Sequence, residues 1–427
     1  MRRSSSNSLL DRRLSLLLPA VCLCFSILLG LRGAAYAPDA GQYRLLAIGQ
    51  QGAVPAPFSA RILGPAMAGW LGRITGLGVD TGFLLLGVVC LIALLILVAR
   101  LLWSWQAGIV IFAAVFLMPF WVDIFHDYYL PDPLHAAILA AILLCLLFGH
   151  TGLALLLLFP AYLARESTLL VALCLIFACW RRIRLRSALI GVIAIVCAGL
   201  VSRHYAQTGP ASVHGMTGGA YILGKLVWSF FKNVLGLPPW SNTLPECTPV
   251  WVKAIPPGYH LGAIRAIGVC RPSSWGPTRL LLAWFGVFGI GPALALTMWR
   301  NIVSLTPPAG KRLAGQSIVF RFCIVYGLIS ILMTPLLGAS VDRLVEYGWP
   351  FYFVVVPWLL SQSYDLRGFR AGALLVLHLV TSWLAWLAFR QQPSTYLWAG
   401  LAVLALNGVS YALIRQSPPD RVTQPLR

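Results

Sequence analysis

Charged residues are scarce in this chain of 427 residues, and acidic residues are the scarcest. Asp, Glu, Lys and Arg together make up 10% of the sequence, whereas soluble domains contain about 25%. This shortage excludes a water-soluble fold. The 12 acidic residues are outnumbered by 32 basic ones, for a net charge of +20. Such an excess would indicate nucleic acid in a soluble protein. Here the basic residues cluster at the ends of apolar runs, which orients membrane proteins, so we expect no nucleic-acid partner.

Familiar cofactor and catalytic motifs are also missing. The sequence has no GxGxxG or P-loop pattern, no fixed-period repeat, no Cys/His metal spacing and no arguable Ser-His-Asp order. Eight of the ten cysteines lie in apolar runs, where they behave as small hydrophobic residues. Cys247 and Cys270 instead fall in a long polar loop. They could form a disulfide if that loop faces an oxidising compartment, and the sequence leaves this open.

Apolar runs of bilayer-crossing length are abundant, and 59% of the residues are hydrophobic. They predict an all-α fold, a polytopic transmembrane helix bundle of about 10–12 spans that forms a single integral membrane domain over residues 1–427. The predicted spans are 14–34, 82–101, 104–122, 133–149, 152–163, 167–180, 187–201, 279–298, 318–338, 347–362, 371–389 and 396–414. Because 152–163 is short, residues 152–180 are either one broken helix or a re-entrant pair.

The distribution of Lys and Arg predicts the orientation of the chain. Most basic clusters fall on one side, so both termini are expected in the cytoplasm, in a bacterial inner membrane. The first span is predicted to stay uncleaved because its apolar run exceeds that of a signal peptide. The long loops 35–80 and 202–278 then face outward, to the periplasm or a lumen. Both are expected to carry interfacial helices, one of them over Ala220–Leu235 with Trp228 and Trp240 at headgroup level.

Acidic residues concentrate on the predicted outer side, which holds nine of the 12. These nine are Asp39, Asp80, Asp123, Asp127, Asp132, Glu166, Glu246, Asp342 and Glu346. Several adjoin the ends of predicted spans, where a charge is costly unless it faces a cavity or a partner. The alternative is that acids merely avoid the positively charged cytoplasmic face. That alternative does not explain why they adjoin helix ends.

The first outer loop contains two candidate groups. Asp39, next to Tyr43 and Arg44, could have a raised pKa in low-dielectric surroundings and act as a general base; the alternative is a helix N-cap. Arg61, beside apolar neighbours, could bind phosphate through paired charge-assisted hydrogen bonds. The alternative for Arg61 is anchoring to lipid headgroups.

A second group lies in the sequence VDIFHDYYLPDP. Asp123 and Asp127 would share a helix face if the helix continues that far. With His126 they are weak candidates for a divalent metal, or for an acid and base pair. Asp132 reads equally well as an N-cap with proline at the first helical position. That interpretation leaves Asp127 unexplained.

Two further candidates are basic residues beside acids. Arg165 and Glu166 lie between two short apolar runs, and an ion pair at membrane depth gains little net energy. We therefore favour a functional role in which Glu166 holds Arg165 or a substrate hydroxyl. Arg343, in a short outer loop, could bind an anionic substrate, or could form a local salt bridge to Asp342 or Glu346.

Taken in order, these features resemble the polytopic GT-C superfamily of membrane glycosyltransferases, and more closely its bacterial branch. The shared features are an acid in the first outer loop, an amphipathic segment, the F-x-x-R-x-L-x-P element Phe58–Pro65, an aspartate opening the fourth span, an Arg-Glu pair, and a late outer arginine followed by proline. The resemblance covers roughly residues 30–185 and 335–360.

The resemblance implies transfer of a sugar, with inversion, from a polyprenyl-phosphate-linked donor to a glycan or lipid acceptor at the outer face. Asp39, with Asp127 and Glu166 as further catalytic candidates, would deprotonate the acceptor. Arg61 or Arg343 would hold the departing phosphate, with Arg165 and Tyr43 as further binding candidates. The first-loop acid is single here, whereas the family usually has two.

Besides the lipid-linked donor and the acceptor, membrane lipids are the only other partners expected. No cofactor is certain, and a divalent metal is left open. The alternatives to a transferase are a lipid or glycan flippase and a catalytically inactive assembly protein of the same fold.

Overall fold

The computed structural model describes most of the chain in two compact units. The described residues are 5–32, 39–105, 107–179, 185–206, 226–227, 229–235, 247–252, 266–270, 276–303, 315–337, 341–363, 368–390 and 395–415. The first unit comprises Met1–Phe112, Trp121–His214 and Leu305–Tyr326. The second comprises Ala113–Phe120, Gly215–Ser304 and Gly327–Arg427.

Helices make up nearly all of the described chain. The α-helices are Ser5–Arg32, Ala40–Ala47, Leu63–Thr75, Val79–Ser104, Ile109–Phe116, Phe120–His126, Asp132–Leu147, Thr151–Leu156, Leu158–Ala164, Thr168–Cys179, Leu185–Ala206, Gly276–Phe288, Gly291–Thr297, Trp299–Val303, Gln316–Leu337, Val341–Glu346, Val356–Ser363, Gly368–Arg390 and Tyr396–Arg415. Short 3-10 helices cover Gln51–Ala53 and Phe58–Ala60, a π-helix covers Phe351–Val355, and strands cover Cys247–Val252 and Ala266–Cys270.

Seven helices within the described ranges are long and apolar enough to cross a membrane. They are Arg13–Arg32, Val79–Ser104, Ile109–His126, Arg186–Ala206, Gln316–Leu336, Gly368–Arg390 and Tyr396–Arg415. An eighth span results if Gly276–Phe288 and Gly291–Thr297, which meet at an angle of 86°, count as one. The structure therefore confirms a helical, multi-pass membrane protein.

The other four predicted spans correspond to shorter apolar helices of 10–17 residues. These are Asp132–Leu147, Thr151–Ala164, Thr168–Cys179 and Phe351–Leu360. At about 1.5 Å per residue such helices fall short of a hydrocarbon core about 30 Å thick. The structure therefore supports seven or eight spans by length and composition. The remaining spans of the predicted 10–12 stay a prediction. The predicted interruption of 152–180 is confirmed, because its helices end at Leu156 and Ala164 before the next begins at Thr168.

The loop predicted over residues 35–80 folds into helices across its described part, 39–80. Helix Ala40–Ala47 buries Tyr43 and Leu46 on one face. Helix Leu63–Thr75 exposes Met67, Trp70 and Ile74, which lie three or four residues apart. An exposed apolar face at this spacing suits a helix lying in the membrane interface.

Glycines bring the first-loop helices into direct backbone contact. A Cβ on Gly69 would lie 2.3 Å from the carbonyl oxygen of Ala47, and a Cβ on Gly82 would lie 2.0 Å from that of Ala68. Helix Leu63–Thr75 therefore packs tightly on both Ala40–Ala47 and the start of Val79–Ser104. This packing holds the loop against the helix that follows it.

In the second unit, the bend between Gly276–Phe288 and Gly291–Thr297 is stabilised by a buried histidine. Gly289 adopts a φ of +53°, which favours glycine. His378 accepts a hydrogen bond from the backbone N–H of Ile290 at Nδ1 (3.3 Å) and donates from Nε2 to the carbonyl of Ala114 (3.0 Å). His378 is therefore packed within the second unit, with a hydrogen bond at each ring nitrogen.

The long loop 202–278 contains a hairpin that the sequence analysis did not predict. Strands Cys247–Val252 and Ala266–Cys270 pair antiparallel, and Cys247 lies directly opposite Cys270 in the register. The register is irregular between Pro249 and Trp251.

The interfacial helix predicted over Ala220–Leu235 is helical at residues 226–227 and 229–233. Within the second unit, Nδ2 of Asn233 donates a hydrogen bond to the carbonyl of Pro335 (3.0 Å). Residues 220–225, Trp228 and Trp240 lie outside the described residues.

Candidate functional site

Arg61 and Glu166 form an ion pair between two distant parts of the first unit. Arg61 donates from Nε to Oε2 of Glu166 at 2.7 Å and from Nη2 to Oε1. Its Nη1 donates to the hydroxyl of Tyr43 at 2.8 Å. The side chain of Arg61 is 12% exposed and that of Glu166 is 43% exposed. The arginine is thus the inner member of the pair and the carboxylate is the outer one.

The turn before Arg61 is fixed by three side chains. Tyr43 is buried and packs edge-to-face on Phe58, with ring centroids 5.8 Å apart. Ser202, from helix Leu185–Ala206, donates from its hydroxyl to the carbonyl of Ala60 at 3.1 Å. The 3-10 helix Phe58–Ala60 is therefore held from both sides, and Arg61 projects from a fixed backbone.

A second ion pair joins Arg165 to Asp132 in the same unit. Nη1 of Arg165 donates to Oδ1 of Asp132, and their side chains are only 8% and 6% exposed. Three residues further along each segment, His135 Nε2 and Thr168 Oγ1 share a hydrogen bond of 3.2 Å. The start of helix Asp132–Leu147 is thereby joined at two points to the turn that carries Glu166.

These contacts change two of the sequence-based interpretations. Sequence analysis offered Arg165 or a substrate hydroxyl as the partner of Glu166, but the carboxylate binds Arg61, and Arg165 binds Asp132. Asp132 was also interpreted as an N-cap. Pro131 occupies the N-cap position instead, so that Asp132 is the first helical residue and its carboxylate is used by Arg165.

Arg61 controls the ionisation of its neighbours. Burial alone would raise the pKa of Glu166, but the charge and hydrogen bonds of Arg61, with a contribution from Arg165, lower that pKa to about 2. Burial raises the pKa of Tyr43, and Arg61 offsets only part of this effect. At neutral pH Glu166 is therefore an ionised hydrogen-bond acceptor, and Tyr43 is a neutral phenol.

Asp39 lies one helical turn from this network. It occupies the N-cap position of helix Ala40–Ala47, as its alternative interpretation predicted, but its side chain makes no capping hydrogen bond. Tyr43 lies four residues later, which places the two residues on the same face of the helix. The neighbouring Arg44 forms an ion pair of 2.9 Å with Asp80, which also accepts a hydrogen bond of 3.1 Å from the hydroxyl of Tyr129.

The segment with the weak metal candidates is not one continuous helix. Helix Phe120–His126 ends before Asp127, so Asp123 and Asp127 do not share a helix face. Nδ1 of His126 donates to the carbonyl of Gly30 at 3.3 Å. Across the described part of the chain, these residues included, no three or more His, Cys, Asp or Glu side chains form a group that could hold a metal ion.

A small, mainly apolar cavity adjoins the ion pairs. Gly64 and Pro65, which follow Arg61, contribute to its lining together with Pro133, which follows Asp132. The rest of the lining comes from Phe83, Leu86, Gly87, Cys90, Tyr128, Tyr129, Leu130, Pro131 and Leu134. The charged network therefore borders apolar surface.

Arg343 belongs to the second unit. It is half-buried on helix Val341–Glu346, where Glu346 is buried. The side chain of Asp342, one of its predicted salt-bridge partners, lies outside the described residues.

Comparison of this chain with protein-family models, with curated proteins and with solved structures gave no match. The GT-C resemblance thus stays a prediction that rests on the sequence motifs alone. Independently of it, the structure joins three of the predicted site residues, Tyr43, Arg61 and Glu166, by hydrogen bonds, and Arg165, the chain neighbour of Glu166, pairs with Asp132. Sequence reasoning missed Ser202 and Thr168, for which a single serine or threonine in an apolar run gives no signal.

Proposed function

We propose that this protein is a membrane glycosyltransferase that transfers a sugar from a polyprenyl-phosphate-linked donor to a glycan or lipid acceptor at the outer face. The proposal combines the motif order of the sequence with the network in the first unit. A lipid-linked donor needs no nucleotide-binding fold. It needs a polar site beside apolar helices, and the network lies at the starts of the apolar helices Asp132–Leu147 and Thr168–Cys179.

The observation that carries the proposal is that Glu166 is held by Arg61 and is still accessible to a ligand. Arg61 holds both carboxylate oxygens, yet 43% of the Glu166 side chain stays exposed. An ionised carboxylate held in this way beside apolar helices can accept hydrogen bonds from the hydroxyls of a sugar. Two of the five Arg61 N–H groups remain for a ligand, since Nε, one Nη1 and one Nη2 hydrogen are already used.

The low pKa of Glu166 argues against this residue as the general base. A general base works best with a pKa near the operating pH, and a carboxylate with a pKa of about 2 is too weakly basic for this. We therefore assign sugar binding to Glu166 and acceptor deprotonation to Asp39, one helical turn from Tyr43. Arg61 serves as the positioning residue for Glu166.

The proposal is tested by reconstituting the purified protein in liposomes with bacterial lipid extract as the source of lipid-linked sugars and acceptors. Mass spectrometry would follow the loss of sugar from the polyprenyl phosphate. Wild-type protein should consume the donor, and Asp39→Asn should reduce turnover by about 100-fold or more, since a general base typically contributes about 10²–10⁴-fold.

The matched control is Asp80→Asn, which removes a carboxylate of the same loop outside the network and should retain most activity. Full activity of Asp39→Asn would shift the assignment of the base to Asp127. Absence of donor consumption by wild-type protein would support the alternative of a catalytically inactive assembly protein.

One observation favours a second candidate, a lipid or glycan flippase. Broken helices are typical of transporters, and Gly276–Phe288 and Gly291–Thr297 are two short apolar helices that meet at an angle of 86°. Scrambling of fluorescent lipid-linked sugars across liposomes, without any transfer, would identify this function. Transfer without scrambling would exclude it.

A further inference from the structure

The two cysteines outside the apolar runs are direct partners in the outer hairpin. Cys247 is the first residue of strand Cys247–Val252, Cys270 is the last residue of strand Ala266–Cys270, and the antiparallel register pairs them. Directly opposed residues in such a ladder have Cα atoms about 4.5–5.5 Å apart. That separation falls within the range of about 4.4–6.8 Å that a disulfide requires.

A cross-link would stabilise the hairpin, because the hairpin is short and irregular. It consists of two strands with five paired positions, interrupted by an irregularity between Pro249 and Trp251. An isolated two-stranded hairpin is at best marginally stable in water. A covalent link between its ends would fix the register and would restrict the unfolded chain.

The other cysteines provide a contrast within the same chain. Two exposed cysteines of the described helices, Cys24 and Cys197, are free. They lie in apolar helices, whereas Cys247 and Cys270 lie in the loop 202–278, which the distribution of Lys and Arg predicts to face the periplasm or a lumen. These are oxidising compartments in which disulfides form and persist.

We propose that Cys247 and Cys270 form a structural disulfide that closes the outer hairpin. The two thiols form one S–S bond and release two electrons and two protons. An oxidised thiol oxidoreductase of that compartment takes these up, and its own disulfide becomes two thiols. The inference rests on register and compartment and is independent of the glycosyltransferase proposal.

The test uses the full-length protein in bacterial membranes. Free thiols are blocked with N-ethylmaleimide in denaturing detergent, the sample is reduced, and newly exposed thiols are labelled with a polyethylene-glycol maleimide. The gel shift should correspond to two adducts, which require prior reduction. Cys247→Ser and Cys270→Ser should each abolish the shift, because the remaining cysteine is then blocked at the first step.

Cys197→Ser is the matched control, since it removes an exposed free cysteine and should leave both adducts in place. Tryptic digestion without reduction should give one linked species that joins residues 233–253 to 266–279, each of which contains a single cysteine. Complete blocking of all cysteines before reduction would overturn the proposal. So would a disulfide-linked dimer that disappears in Cys247→Ser.

Discussion

Arg61 illustrates how a single side chain can differ from the interpretation that its sequence context favours. Its apolar neighbours suggested a phosphate ligand or a headgroup anchor. In the structure it first neutralises Glu166, which lies 105 residues away in the sequence. No local spacing reports a partner at that distance. The type of residue was predictable, whereas its partner depended on the folded chain.

The Arg61–Glu166 pair predicts a stability that depends on pH. The folded pKa of Glu166, about 2, lies below its ordinary value of 4.5. The ionised carboxylate therefore contributes stability that is fully present above pH 4.5 and is lost as the pH falls toward 2.

We expect Glu166→Gln to lower the melting temperature of the detergent-solubilised protein at pH 7, and this deficit to shrink steadily between pH 4.5 and pH 2.5. Melting can be followed by tryptophan fluorescence. A deficit that is constant over this range would contradict the assigned ion pair.

Substitutions of Arg165 and Asp132 should have strongly coupled effects on the free energy of unfolding, because both side chains are nearly inaccessible to water. Removal of one partner leaves a buried charge, at a cost of about 3–5 kcal/mol. Asp132→Asn and Arg165→Met should each destabilise the protein by this order, and the double variant by less than the sum. A double-mutant cycle in chemical unfolding measures this difference. Strict additivity would show that the two side chains do not interact.

At the scale of elements, close backbone packing makes a specific prediction for the first outer loop. Gly69→Ala would place a methyl group 2.3 Å from the carbonyl oxygen of Ala47, which is part of the backbone and cannot rotate away. We expect a loss of about 1–3 kcal/mol in stability, as for other overpacked sites, together with a loss of the proposed sugar transfer.

Gly41→Ala is the matched control for this prediction. Nothing lies within 4 Å of a Cβ at Gly41, so alanine should be tolerated and should favour the helix slightly. Thermal unfolding of both variants would decide the point. Equal melting temperatures would show that the two helices can separate without cost.

The elements themselves were predictable to different degrees. Long apolar runs identified the helices that can cross a membrane, and the low count of residues in 152–163 identified the interruption there. The bend after Phe288 was missed, because Gly289 and Pro292 lie within an otherwise continuous apolar run. The outer hairpin was also missed, since its short strands lie in a loop rich in Pro and Gly, which gives no alternating pattern.

At the scale of the whole molecule, the orientation can be tested directly. We expect an epitope inserted between Gln50 and Gln51 in the first outer loop to bind antibody on intact spheroplasts. A fluorescent protein fused after Arg427 should mature in the cytoplasm, and an epitope near Lys311 should bind only after permeabilisation. Binding at Lys311 on intact spheroplasts would invert the predicted topology and would place the hairpin cysteines in a reducing compartment.

The two ion pairs also have a consequence for how the protein responds to voltage. Arg61 and Arg165 carry two positive charges, and Glu166 and Asp132 carry two negative ones. An electric field does work of about 2.3 kcal/mol per 100 mV on each net charge that crosses it, and this cluster has none. Displacement of the cluster as a unit along the membrane normal therefore moves no net charge through the field.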